Sequence, residues 1–205
     1  MQFQNLIVEE KLVVAGLEVG GNEGQQLSIA PFLGSARWFD LARDGATGAV
    51  ASGVDTLFAM PFCARGGVLA GLGFQVVVLA AGGVARVGLY STISNDNLYP
   101  GDLVVDAGQQ STAANGVKLT TGLASPLLAG KVYWAVYLTG TLAATVMVSE
   151  SGIWRYVGYP AADFNVGAQN SLTVAFAYAA LPVRFPVGAV VSGSAGCSIY
   201  GNYST

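Results

Sequence analysis

The amino-acid sequence predicts an all-β protein, an antiparallel β-sandwich of jelly-roll-like type with a short N-terminal arm. Apolar residues recur with a period of two in short segments, which is the pattern of strands that bury one face. Turns rich in Gly, Asn, Ser, Pro and Asp separate these segments at the spacing typical of a sandwich or jelly roll. A parallel βαβ arrangement does not fit, because no capped amphipathic helix is predicted between the strands.

Three segments show the alternation most clearly. Asp55–Phe62 places its even-numbered residues, three of them large and apolar, on one face. Phe74–Leu79 alternates in the same way, and Leu172–Ala179 alternates large residues with Thr and Ala. The other predicted strands are Leu12–Ala15, Val84–Thr92, Leu103–Asp106, Val117–Thr121, Lys131–Leu138, Ala144–Val148, Ile153–Val157 and Ala189–Val191.

The chain is predicted to divide into an arm, residues 1–30, and a sandwich domain, residues 31–205. The arm holds four of the five glutamates and the turn run Gly20–Gly24, and one short segment in it is strand-like. We expect this arm to act as an anchor. Residues 43–53, RDGATGAVASG, are small and polar and are predicted to form a surface loop.

The predicted strand Lys131–Leu138 is apolar on both faces. We expect Val132, Trp134, Val136 and Leu138 to face the core of the sandwich. The opposite face, made of Tyr133, Ala135 and Tyr137, then needs another cover, either one of the chain's own loops or a neighbouring subunit. Only 10% of the residues are charged, against about 25% in an average soluble chain, which favours the subunit. The sequence thus predicts a homo-oligomer, a trimer or a higher assembly, with these three residues at the contact.

Composition removes two classes of partner. Nine Lys and Arg against twelve Asp and Glu, with no basic cluster, exclude nucleic-acid binding through counterion release. Residues 66–85 are uncharged and long enough to span a bilayer, but they contain six glycines and a central Gln75, so we predict a strand and no membrane insertion.

No signal peptide is predicted at the N-terminus, because Glu9 and Glu10 stand where a secretory signal would be apolar.

The motifs of common catalytic sites are missing from the sequence. The chain contains no histidine, so triads that depend on an imidazole are excluded. Asp96, Asp102 and Asp106 near Tyr99 form the one carboxylate group with any catalytic or calcium-binding potential, and their Asn-Asp-Asn and Pro-Gly-Asp settings favour turn formation instead. We therefore expect no catalytic residue, no cofactor and no metal.

The two cysteines, Cys63 and Cys197, belong to no metal-binding or redox pattern. Two separate buried thiols are the preferred interpretation, and a disulfide between them stays open.

Six motifs follow one another in a fixed order along the chain. They are Asp55–Phe62 (DTLFAMPF), Val84–Tyr90 (VARVGLY), Tyr99–Gly108 (YPGDLVVDAG), Gly116–Leu119 (GVKL), Leu128–Trp134 (LAGKVYW) and, near the end, Ala180–Pro186 (ALPVRFP). Together they resemble the β-sandwich modules of tailed-bacteriophage virion proteins, such as tail fibres and related appendages. The resemblance covers residues 54–190 and is a pattern of strands and turns that includes no catalytic residue.

This resemblance implies a non-enzymatic part of a virion, often trimeric, that folds in the host cytoplasm without export. Its partners would be other virion proteins of the tail or capsid and a host surface glycan or receptor. Two polar loops are predicted to face the host, residues 43–53 and the loop that contains Asn95, Asp96, Asn97 and Tyr99.

Two alternatives stay open. Because the arm is only thirty residues long, a capsid decoration protein is nearly as well supported as a tail fibre, tail tip or other appendage. An alternative of a different class is a carbohydrate-binding module that stacks sugars on Trp38, Trp154 and Tyr156.

Overall fold

The computed structural model describes residues 12–14, 17–19, 38–41, 48–51, 53–149, 171–192 and 196–204. The chain divides into two compact units, Met1–Gly34 and Ser35–Thr205. In the first unit, β1 (Leu12–Val14) pairs antiparallel with β2 (Leu17–Val19). The anchoring role expected of the arm stays a prediction.

The described part of the second unit is built from strands and contains no helix. No helix long and apolar enough to cross a membrane occurs in the described ranges. The strands are β3 (Trp38–Asp40), β4 (Gly48–Ala51), β5 (Thr56–Cys63), β6 (Gly67–Val78), β7 (Val84–Thr92), β8 (Pro100–Ser111), β9 (Gly116–Leu127), β10 (Val132–Thr139), β11 (Thr145–Ser149), β12 (Ser171–Ala175), β13 (Val190–Ser192), β14 (Gly196–Cys197) and β15 (Tyr200–Ser204).

Two antiparallel sheets pack together, and their strand order is that of a jelly roll. In sheet one, β4 pairs with β11, β11 with β6, and β6 with β9. In sheet two the order is β5, β10, β7, β8. The chain therefore alternates between the sheets as two nested Greek keys do, and the predicted all-β, jelly-roll-like sandwich is confirmed. Additional strands extend both sheets: β12 and β13 lie beyond β5, and β15 and β3 lie beside β6.

The main core lies between the two sheets. The alternation predicted for β5 is confirmed, since Phe58, Met60 and Phe62 all enter this core. The edge of the Phe74 ring on β6 meets the ring of Tyr137 on β10 with 5.4 Å between centroids.

The faces of β10 are the reverse of those predicted. Tyr133, Ala135 and Tyr137 lie in the core between the sheets and are 5%, 0% and 1% exposed. Trp134 and its face-mates instead point to the outer side of sheet two, where the chain's own residues cover them. The predicted subunit contact through Tyr133, Ala135 and Tyr137 assumed that the sandwich could not bury these residues. That assumption is wrong.

Other differences concern strand bounds. β4 lies inside the segment predicted as a loop, because Gly48–Ala51 pairs along β11. Strand β12 ends at Ala175, four residues earlier than predicted, because Ala175 lies opposite Thr56, the first residue of its partner β5. The backbone N–H of Phe176 makes one more bond, to the carbonyl oxygen of Asp55 at 2.8 Å. The predicted strand Ile153–Val157 lies outside the described residues.

Candidate interaction surfaces

Residues 176–189, here called the strap, cross the outer side of sheet two and cover the second apolar cluster. Leu181 and Phe185 of the strap are each 5% exposed and pack on this cluster. The Phe185 ring meets Tyr90 and Tyr99 edge to face, with centroid distances of 5.3 and 5.9 Å. The cluster beneath is formed by Leu57, Ala59, Tyr90, Trp134, Val136, Leu138 and Leu172.

Backbone pairing fixes the strap to the free edge of β8. The N–H of Leu103 donates to the carbonyl oxygen of Val183, and the N–H of Phe185 donates to that of Gly101, each at 2.9 Å. The sequence Pro100–Asp102, predicted to form a turn, is instead the start of β8, and it receives this extra backbone segment. Such a pairing has no signal in local sequence, because its two sides are about eighty residues apart.

Two tyrosine hydroxyls tether the strap. Tyr90 donates to the carbonyl oxygen of Pro182 at 2.6 Å, and Tyr99 donates to that of Pro186 at 2.8 Å. The Tyr99 hydroxyl also accepts the N–H of Ala189 at 3.0 Å. Burial, together with the nearby negative charge of Asp106, raises the pKa of Tyr90 well above its ordinary value, so this hydroxyl stays protonated and keeps donating.

The Asp106 carboxylate joins the strap to sheet two. Its Oδ2 accepts from Arg86 Nη1 at 2.8 Å and from the N–H of Leu181 at 3.0 Å, and its Oδ1 accepts from the N–H of Gly108 at 2.8 Å. Both charged side chains are less than one-fifth exposed. Asp106 lies within β8, and sequence reasoning missed its ion pair, its bond to the strap and its bond to the N–H of Gly108.

The other two predicted carboxylates are in different surroundings. Asp102 forms an ion pair with Arg184 of the strap at 2.9 Å, and both side chains are more than two-thirds exposed. Asp96 is exposed in the 93–99 loop. No group of three or more Cys, Asp or Glu residues that could hold a metal ion occurs among the described residues.

The predicted host-facing loop has an exposed tip and a fixed base. Asn95, Asp96 and Asn97 are exposed, and the loop is closed by a hydrogen bond from the N–H of Asn97 to Ser94 Oγ at 3.0 Å. Tyr99 is half-buried and tethers the strap, so it belongs to the base. The indole N–H of buried Trp134 donates to the carbonyl oxygen of Leu98 at 2.7 Å, which fixes the base further.

The outer side of sheet one carries Trp38 and two exposed apolar residues of β9. A Cβ atom at Gly71 would lie 2.7 Å from Trp38 Cη2, and one at Gly73 would meet the Leu119 side chain, so glycine at both positions makes room for the larger neighbours. Both glycines lie in β6, which begins seven residues before the predicted strand Phe74–Leu79. Leu119 is 44% exposed and Val117 is 61% exposed. Trp154 and Tyr156, the other predicted sugar-stacking residues, lie outside the described residues.

The two cysteines are free thiols. Cys63 is exposed at the end of β5, and Cys197 is buried in β14. Burial raises the pKa of the Cys197 thiol well above its ordinary value, which keeps it protonated and unreactive. The preferred interpretation of two separate thiols matches this arrangement, except that Cys63 is not buried.

No protein-family model matches the chain, and no curated protein matches its sequence. The surfaces described above are the exposed tip of the 93–99 loop, the tethered strap and the outer side of sheet one.

Proposed function

We propose that the protein is a non-enzymatic structural component of a tailed-bacteriophage virion, a tail fibre, tail-tip protein or other surface appendage. Its arm docks on the particle, and its sandwich carries the loops that face the host. The proposal includes a homo-oligomer, with a trimer as the preferred state, and folding in the host cytoplasm.

The observation that carries this proposal is a contact between two of the motifs that resemble phage modules. Ala180–Pro186 lies directly against Tyr99–Gly108, through the backbone pairs with Gly101 and Leu103 and through the edge-to-face contact of Phe185 with Tyr99. The motif Leu128–Trp134 ends in the tryptophan that this contact covers. Motifs that are far apart in sequence therefore form one packed unit, which supports reading them together as a single module.

The exposed tip of the 93–99 loop supports the assignment of host contact. Its base is fixed by the Trp134 and Tyr99 hydrogen bonds, so the tip can vary in sequence without disturbing the core. Substitutions of Asn95, Asp96 and Asn97 should change adsorption to the host and leave folding unchanged.

Capsid decoration is the alternative within the same class, and particle imaging separates the two. Gold-labelled antibodies against the sandwich should bind intact particles, at the tail for an appendage or over the head for a decoration protein. Protein that is made during infection but is absent from purified particles by both labelling and mass spectrometry would refute the virion proposal.

A carbohydrate-binding module is the candidate from a different class, and the half-buried Trp38 on the outer side of sheet one is the observation in its favour. Glycan-array binding that is lost in Trp38→Ala, in a protein absent from particles, would favour it. Loss of binding only in variants of the 93–99 loop would instead support host contact through that loop.

A further inference from the structure

The turn between β8 and β9 contains the one Asn-Gly pair of the sequence, Asn115–Gly116. Gly116 is the first residue of β9 and has a positive φ of 104°, a conformation that residues with a side chain rarely adopt. A Cβ atom added at Gly116 would meet no heavy atom within 4 Å apart from those of its chain neighbours. The backbone conformation therefore requires glycine at this position, and the space beside it is open.

The Asn115 side chain is not held in place by a polar contact. It is exposed, and it forms no hydrogen bond within the part of the chain that the structure describes. Asn97 in the 93–99 loop is different, because its Oδ1 accepts the backbone N–H of Tyr99 at 3.1 Å and the bulky Leu98 follows it. The amide group of Asn115 is therefore free to rotate towards the backbone nitrogen of Gly116, whereas that of Asn97 is engaged.

The base of this turn is fixed to the neighbouring loop, while its tip is exposed. The backbone N–H of Thr112 donates to the carbonyl oxygen of Gly83 at 2.9 Å, and the carbonyl oxygen of Thr112 accepts the N–H of Ala80 at 3.0 Å. Residues 113–115 beyond this base are all exposed. A chemical change at the tip therefore leaves the paired base in place.

We propose that Asn115 is a site of spontaneous deamidation in the folded protein, with solvent water as the co-reactant. The backbone nitrogen of Gly116 loses its proton and attacks Cγ of Asn115, the Cγ–Nδ2 bond breaks, and the side-chain nitrogen leaves as ammonia. The product is a cyclic succinimide. Water then adds to one of its two carbonyl carbons: cleavage of the new C–N bond leaves aspartate, and cleavage of the original main-chain bond leaves isoaspartate. Attacking group and target are neighbours in the chain, so no second molecule has to bind.

The reaction adds one negative charge to an uncharged turn. It replaces a neutral amide by a carboxylate, so the net charge changes by one unit, from -3 to -4. Residues 107–117, between Asp106 and Lys118, contain no charged side chain, so the new carboxylate is the only charge in that segment. The protein therefore becomes heterogeneous in charge with age while its fold persists. This inference goes beyond the virion proposal, and neither depends on the other.

The test is timed incubation of the purified full-length protein at mildly acidic and mildly alkaline pH, followed by brief trypsin digestion and mass spectrometry. Trypsin cleaves after Arg and Lys, so one peptide, residues 87–118, contains Asn115 together with Asn95 and Asn97 as internal controls. Fragment ions should show the replacement of NH2 by OH at position 115 at least about ten-fold faster than at the other two. The rate should be higher at alkaline pH, because the deprotonated backbone nitrogen attacks. Labelling by an isoaspartyl methyltransferase should rise in parallel.

Two variants and the unfolded chain separate the contribution of the fold from that of the local sequence. Asn115→Gln should slow the reaction at least about ten-fold, because the longer side chain has to close a larger ring, and should keep the wild-type melting temperature. The matched control Ala114→Gln places the same side chain one residue earlier and should leave the rate at position 115 unchanged.

The native protein should react within about three-fold of the rate in urea, because an exposed turn tip opens at little cost in free energy. The converted protein should melt at the temperature of the fresh one, since the base of the turn stays paired. Conversion in urea without conversion in the native state, equal conversion at Asn95 and Asn97, an unslowed Asn115→Gln protein, or a lowered melting temperature after conversion would each overturn the proposal.

Discussion

Phe185→Ala is the sharpest test of the strap as a structural element. The ring is 5% exposed and lies between the rings of Tyr90 and Tyr99. Truncating a buried Phe to Ala lowers the free energy of unfolding by about 3–5 kcal/mol. Because the strap lies at the surface and can partly collapse into the gap, we expect about 3 kcal/mol. In a chain of this size that corresponds to a fall of about 6–12 °C in Tm.

Urea denaturation followed by tryptophan fluorescence measures this loss. The midpoint should fall with little change in the slope, and the emission of Trp134, which is fully buried under the strap, should shift to the red in the native baseline. The matched control is Val183→Ala, two residues away on the same strap and 79% exposed, which should change stability by less than about 0.5 kcal/mol. A Phe185→Ala protein within that same margin of the wild type would refute the reasoning, since it would show that the strap contributes little to the fold.

Three further outcomes are expected. Asp106→Asn should lower the free energy of unfolding by about 2 kcal/mol in urea denaturation, because it breaks a largely buried ion pair. Asp102→Asn breaks an exposed ion pair and should change that free energy by less than about 0.5 kcal/mol. Equal effects of the two substitutions would contradict the argument from burial. Burial raises the pKa of Tyr203 to about 12 from its ordinary value near 10, with Arg65 opposing the shift. The folded state therefore keeps a proton that the unfolded chain loses, so stability is full below about pH 10 and falls by about 2–3 kcal/mol as pH rises through the folded pKa. Tyr203→Phe should flatten this alkaline decline in urea midpoints measured at several pH values, and an unchanged decline would assign it to other groups. Gly73→Ala should lower Tm, because the new Cβ would lie 2.8 Å from the backbone oxygen of Lys118, and overpacking of this kind costs about 1–3 kcal/mol; a wild-type Tm would show that β9 can move away.

Local alternation was enough to predict the class of fold and several strands. The apolar period of β5 predicted both the strand and the face that enters the core, because Phe58, Met60 and Phe62 are large while their neighbours are smaller. β4 was missed because three of the four residues in Gly48–Ala51 are Gly or Ala, which have little strand preference, and pairing with β11 overrides that preference.

The candidate surfaces were only partly predictable. The exposed tip Asn95–Asn97 follows from turn chemistry, which is local. The strap does not, because residues 180–188 show no strand or helix period and its contacts reach residues far away in the chain. Tyr99 was therefore placed in an exposed loop, although the structure uses its hydroxyl to hold Pro186 and Ala189.

The sequence by itself determined that β10 is a strand, because successive apolar residues along Val132–Thr139 fall in turn on two opposite faces. Only the tertiary structure decided which row faces the partner sheet. A strand that is apolar on both faces has two acceptable orientations, and a one-residue change of register exchanges them. The choice depends on what covers each side. Tyr137 meets Phe74 across the sandwich. The outer row around Trp134 is covered by Phe185, which lies about fifty positions later in the chain, and no local pattern predicts this contact.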